Sequence, residues 1–88
     1  METQEIYRRL IEKFGEEKQT IIAIEELSEL QKVLCKCLRG QGNFDNVVEE
    51  IADVRIMLEQ LEMIFNCDLL VANEMTKKLQ RTEERYLK

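Results

Sequence analysis

The chain of 88 residues has no histidine, no proline and no tryptophan, and only three glycines, Gly15, Gly40 and Gly42. Each shortage excludes something. Without histidine there is no ordinary zinc centre, no Ser/His/Asp set, and no Glu-x-x-His pair of the kind that holds two irons in a helical bundle. Without proline, and with so little glycine, nothing interrupts long helices. Cysteines number three, Cys35, Cys37 and Cys67. Cys35 and Cys37 stand two apart on a predicted helix, where their side chains diverge, so neither a zinc knuckle nor a redox pair results and all three are expected as packing thiols. Apolar runs stop short of the roughly 20 residues of a membrane span, and METQEIYRRL lacks the apolar core of a signal peptide. A cytoplasmic protein is expected, with no membrane partner. Aromatics are few, and Tyr7, Phe14 and Phe44 are read as core or interface residues sooner than as base-stacking ones.

What is present is charge in an amphipathic pattern. Hydrophobic residues make up 44% of the chain and charged ones 35%, with a formal net charge of -5. That balance fits a folded helical protein and not a disordered one. It disfavours nucleic acid as a partner and favours cations. Residues 1–88 are expected to form a single domain.

Four helices are predicted: about Gln4 to Lys13 with Thr3 as N-cap, Glu16 to Leu38, Asp45 to Phe65 capped by Asn43 or Asp45, and Leu69 to about Tyr86 capped by Asp68. Arg39 to Asn43 is the one clear loop. Short connections make neighbours antiparallel, so the fold class is all-α, an antiparallel four-helix bundle with two long central helices. A chain this short cannot cover all its apolar residues, and Leu69, Leu70, Val71, Met75 and Leu79 need a partner surface. A homodimer or homotetramer is expected.

The acids of the two long helices carry the functional signal. With about 100° of rotation per residue and Glu26 at zero, Ile22, Ala23, Leu30, Val33, Leu34 and Cys37 surround it, and Glu29 lies at the edge of that stripe near -60°. With Glu50 at zero, Val47, Val54, Met57, Leu58, Leu61, Ile64 and Phe65 form the stripe, and Asp53 again lies near -60°. Acids spread over a solvated face account for Glu25, Glu49 or Glu59, but not for acids inside two apolar stripes. Carboxylates on a packing face cost several kcal/mol unless something compensates them. A hard divalent cation does so, and oxygen-only donors favour magnesium or manganese over zinc or copper.

EELSEL (Glu25 to Leu30) and EEIADV (Glu49 to Val54), with twenty residues between Glu29 and Glu50, resemble the two halves of a known signature, Glu-Glu-x-x-Glu followed by Glu-x-x-Asp. The chain from about Phe14 onward is similar to the MazG-like branch of the all-α nucleoside triphosphate pyrophosphohydrolases. The resemblance implies a MazG-type fold and a magnesium-dependent hydrolase acting on phosphoric anhydrides. It would cleave a (d)NTP to the monophosphate and pyrophosphate, with Glu26, Glu29, Glu50 and Asp53 as metal-binding and catalytic residues. It further implies a phosphate grip from Lys78, Thr82, Arg85 and Tyr86, although Thr82 stands where the family has Asn and Leu87 where it has Pro. Lys78, Arg81, Thr82 and Arg85 share one helical face, and Lys36 lies on the same edge of its helix as Glu29. A narrower enzyme, dUTPase-like or acting on phosphoribosyl-ATP, is an alternative. So is a helical dimerisation or regulatory module with a structural or vestigial metal site.

Overall fold

A computed structural model describes all 88 residues, as four helices without a strand. They are α1 (Thr3–Phe14), α2 (Glu16–Leu38), α3 (Phe44–Ile64) and α4 (Asp68–Tyr86). No helix is long and apolar enough to cross a membrane.

Local chemistry explains most of the boundaries. Gly15 alone joins α1 to α2, at φ 92° and ψ 155°, a left-handed conformation that costs a residue without a Cβ nothing. The side chain of Asn43 caps α3, accepting hydrogen bonds from the backbone N–H groups of Asp45 and Asn46 at 2.9 and 3.3 Å. Asn66, at φ 52°, turns the chain between α3 and α4; asparagine tolerates that region better than most residues. Two expected caps are not caps. Thr3 and Asp68 are the first residues of α1 and α4, and Glu2 and Cys67 before them make no side-chain cap. Asp68 still sits in the first turn, where its charge complements the helix dipole.

The loop between α2 and α3 closes tightly on the end of α2. A Cβ on Gly42 would overlap Cys37 Sγ and come within 2.8 Å of its Cα. Gly42→Ala should therefore push the loop off α2, costing about 1–3 kcal/mol and lowering Tm in calorimetry by at least about 4 °C. An unchanged Tm would mean that the loop yields freely.

Helices α2 and α3 run antiparallel along most of their length, pairing Gln19 with Gln60 at one end and Glu26 with Glu50 and Asp53 further along. Helix α1 packs on both, beside the Gln19–Gln60 end. Tyr7 of α1 is buried, and its hydroxyl donates a 2.5 Å hydrogen bond to Glu59. Burial, that bond and the nearby Glu59 charge push the Tyr7 hydroxyl pKa up to about 12.

Helix α4 departs from the expected bundle. It packs on α3 alone, and none of its residues is buried. The fold is thus a three-helix body with a projecting fourth helix. Only 6 of 88 residues are buried, Tyr7, Gln19, Ala23, Val54, Met57 and Gln60, so one chain barely has a core. Leu34, Leu58 and Phe65, expected in the central stripes, are exposed, as are Cys35 and Cys37, expected as packing thiols; Cys67 is half-buried.

Candidate metal centre

The α2–α3 seam that buries Gln19, Ala23, Val54 and Met57 continues to Glu26, Glu50 and Asp53. Each of these acids offers a carboxylate oxygen, and the three oxygens lie within 4.8 Å of one another. Glu26 and Glu50 are half-buried and Asp53 is exposed. The placement follows from the helical period. Glu26 and Glu50 stand inside the facing stripes, while Asp53, one turn after Glu50, looks in from the edge.

No cation of the chain offsets this cluster. Burial raises the Glu26 pKa most; the charges of Asp53 and Glu50, a hydrogen bond with the Asp53 carboxyl group and the charge of Glu29 raise it further. For Glu50, burial again leads, followed by the charges of Asp53, Glu29 and Glu49. Every neighbour acting on the pair is therefore an acid. Glu50 Oε2 is buried without a hydrogen-bond partner, and such an atom is costly to leave unmatched. A divalent cation would satisfy that oxygen and the surplus charge together, so the donor set fits a hard metal.

The fourth expected ligand is not gathered in. Glu29 is exposed, and its carboxylate meets Lys32 at 3.4 Å, one turn along α2. Its charge still reaches Glu26 and Glu50, but the compact cluster has three members. An exposed ion pair of this kind is worth little, at most about 1 kcal/mol, so it offers weak resistance to a competing cation.

The expected phosphate-binding residues stand apart from the acids within one chain. Lys78, Arg81, Thr82 and Arg85 are exposed on α4, which does not touch α2. Arg85 lies over the Tyr86 ring at 6.0 Å. Lys36 is exposed on α2 beside Lys32 and Arg39, in a shallow depression that also includes Cys35.

Sequence reasoning missed the buried amides behind the acids. Gln19 Nε2 donates to Gln60 Oε1 at 2.8 Å, and Gln60 Nε2 donates to Met57 Sδ at 3.5 Å. Gln19 Oε1 is left without a partner. Gln19 was open to discovery, because it lies only about 20° from Glu26 on the α2 stripe. Gln60 was not, being about 80° from Glu50 and buried at the end where α1 packs.

Comparison with protein-family models, with curated proteins and with solved structures finds no match to this chain.

Proposed function

We propose that this protein is a magnesium-dependent nucleoside triphosphate pyrophosphohydrolase, converting a (d)NTP and water to the (d)NMP and pyrophosphate, with a MazG-like fold and a homo-oligomeric state. The observation that carries the reading is the trio Glu26, Glu50 and Asp53, whose oxygens converge within 4.8 Å without a compensating cation. The doubled motif spanning Glu25 to Val54 supports it from the sequence side.

Glu26, Glu50 and Asp53 would hold the ion, and Glu29 would join them by giving up Lys32. When bound, magnesium supplies Lewis-acid chemistry, lowering the pKa of water and neutralising charge on phosphoryl oxygens; manganese is a possible substitute. The protein's share is positional. The α2–α3 packing fixes Glu26 and Glu50 at one distance across the seam, so the donors need little reorganisation. Asp53, at the exposed edge, leaves the cluster open toward solvent and a polyphosphate. With no histidine or conventional nucleophile set in the chain, water is the attacking group. Lys36, Lys78, Arg81, Thr82 and Arg85 form the candidate set for gripping phosphate. Since α4 stands clear of α2, its members act on this chain's acids only after a rearrangement, or on those of another copy.

A pyrophosphate-release assay over a panel of NTPs and dNTPs with magnesium tests the reading. Monophosphate and pyrophosphate are the expected products. A diphosphate with orthophosphate, or no turnover of any common triphosphate, would replace it with the regulatory-module reading.

A further inference from the structure

Charge changes sign along α2 at the contact between Glu29 and Lys32. From Leu30 to Phe44 the chain has three cations, Lys32, Lys36 and Arg39, and no acid, within a protein of net charge -5. The three stand at i, i+4 and i+7, which is one face of a helix. They line one shallow depression together with Ser28, Gln31 and Cys35. Lys32 alone of the three is ion-paired, with Glu29; Lys36 and Arg39 have no such partner. The helix dipole favours a cation in the last turn of α2, which accounts for Lys36 but not for a row that begins beside Glu29. Like charges one turn apart repel, and only Lys32 has a counter-charge.

The row mirrors the acid cluster. Glu26, Glu50 and Asp53 form a negative group without a cation, and Lys36 and Arg39 end a positive group without an anion. The 3.4 Å contact between Glu29 and Lys32 is where the two groups meet. With Glu26 at zero, Glu29 lies near -60° and Lys36 near -80°, so acids and cations follow one edge of α2. Lys32 is six residues and Lys36 ten residues beyond Glu26, about 9 and 15 Å along the axis. Helical side chains lean toward the N-terminus, which for these lysines is toward the acids. A ligand that fits both groups joins a divalent cation to a polyanion, as a magnesium polyphosphate does.

We propose that Lys32 serves the two ligands of this site in turn. In the metal-free chain it holds Glu29 clear of the trio. When magnesium takes Glu29, the Lys32 ammonium is released and joins Lys36 and Arg39 in gripping the polyphosphate of the substrate. The exchange costs little, since the Lys32 and Glu29 side chains are 65% and 51% exposed and such a pair is weak. Lys32 thus opposes magnesium that arrives alone and favours the phosphates once magnesium is bound. Binding of either ligand then raises affinity for the other. The proposal rests on the metal site of the reading above, and not on hydrolysis.

Calorimetry on Lys32→Gln, which keeps a polar side chain and removes the charge, reads the two signs separately. Magnesium chloride alone should bind up to about fivefold more tightly than to the parent, because the competitor for Glu29 is gone. The magnesium complex of inorganic tripolyphosphate should bind about tenfold more weakly. A second variant separates direct contact from the general field of a charge. In Glu29→Gln chains, a further Lys32→Gln change should no longer tighten magnesium, while it should still weaken tripolyphosphate. Two affinities that move in the same direction in Lys32→Gln, or that do not move, would overturn the proposal. So would an undiminished gain in magnesium affinity with Glu29 replaced. A parent chain that takes up no magnesium would overturn the metal site as well. Absence of turnover beside the expected split in affinities would remove the hydrolase reading and leave the role of Lys32 standing.

Discussion

Replacing Glu26, Glu50 or Asp53 by Ala should lower the kcat of pyrophosphate release about 10²-fold or more. In the proposed centre the three side chains would share one ion, so losing any of them would weaken what holds the developing charge in the transition state. Glu29→Ala should cost less, because its carboxylate already stands outside the trio, against Lys32. The split between kcat and KM separates metal from substrate roles. Arg85→Ala, if Arg85 grips phosphate, should mainly raise KM. Four Ala variants with near-parental kcat would show that these acids do not serve a catalytic metal.

Magnesium should stabilise the fold strongly, and most strongly at neutral pH. Binding to the native state alone contributes RT ln(1 + [Mg]/Kd), about 2.7 kcal/mol at 100 times Kd, which for a domain this small is roughly 10–20 °C in Tm. The pH dependence follows from the two raised carboxyls. Glu26 and Glu50 ionise above the ordinary value of 4.5 in the folded chain, so the native state binds their protons more tightly than the unfolded state does. Their contribution is fully present below pH 4.5 and is lost as pH rises through their folded values. The metal-free protein should thus melt higher near pH 5 than near pH 7, and magnesium should flatten that slope while displacing protons in the acid range. Glu50→Gln keeps the shape and removes the charge. It should abolish the magnesium shift, and a parental response in that variant would exclude Glu50 as a ligand.

Much of the helical fold and of the acid cluster was legible in the sequence because two periodicities coincide. The same helical period that orders Ile22, Leu30 and Val33 on α2 puts Glu26 among them, and the same holds for Glu50 among Val47, Val54 and Leu61. Facing stripes then bring the acids together without further information. Glu29 was harder. At the stripe edge, about 60° away, a side chain chooses between the seam and a neighbour one turn along, and rotation per residue does not decide between Asp53 and Lys32. Leu34, Leu58 and Phe65 read as core because an amphipathic helix does not reveal how many partners share its apolar arc. Gln60 was invisible because it lies about 80° from Glu50, off the stripe, and yet meets Gln19 of α2. The α4 stripe reads the same whether a helix folds back on its own chain or projects from it, and only the packing on α3 separates the two.

The isolation of α4 gives the proposed homo-oligomeric state a further consequence. A lone helix of 19 residues is marginal in water, because nucleation is costly and most helical stability in proteins comes from packing an apolar face. With no buried residue of its own, α4 has little besides its root on α3 to keep it wound in a single chain. With a second copy covering Leu69, Leu70 and Met75 in the proposed homo-oligomer, its helicity should depend on protein concentration. Far-ultraviolet circular dichroism should lose signal on dilution by up to about the share of those 19 residues, while the Tyr7–Glu59 contact persists. Amide exchange should be fastest along α4 in dilute solution and slow there as concentration rises. Invariant helicity and exchange across that range would mean that α4 is stable unaided.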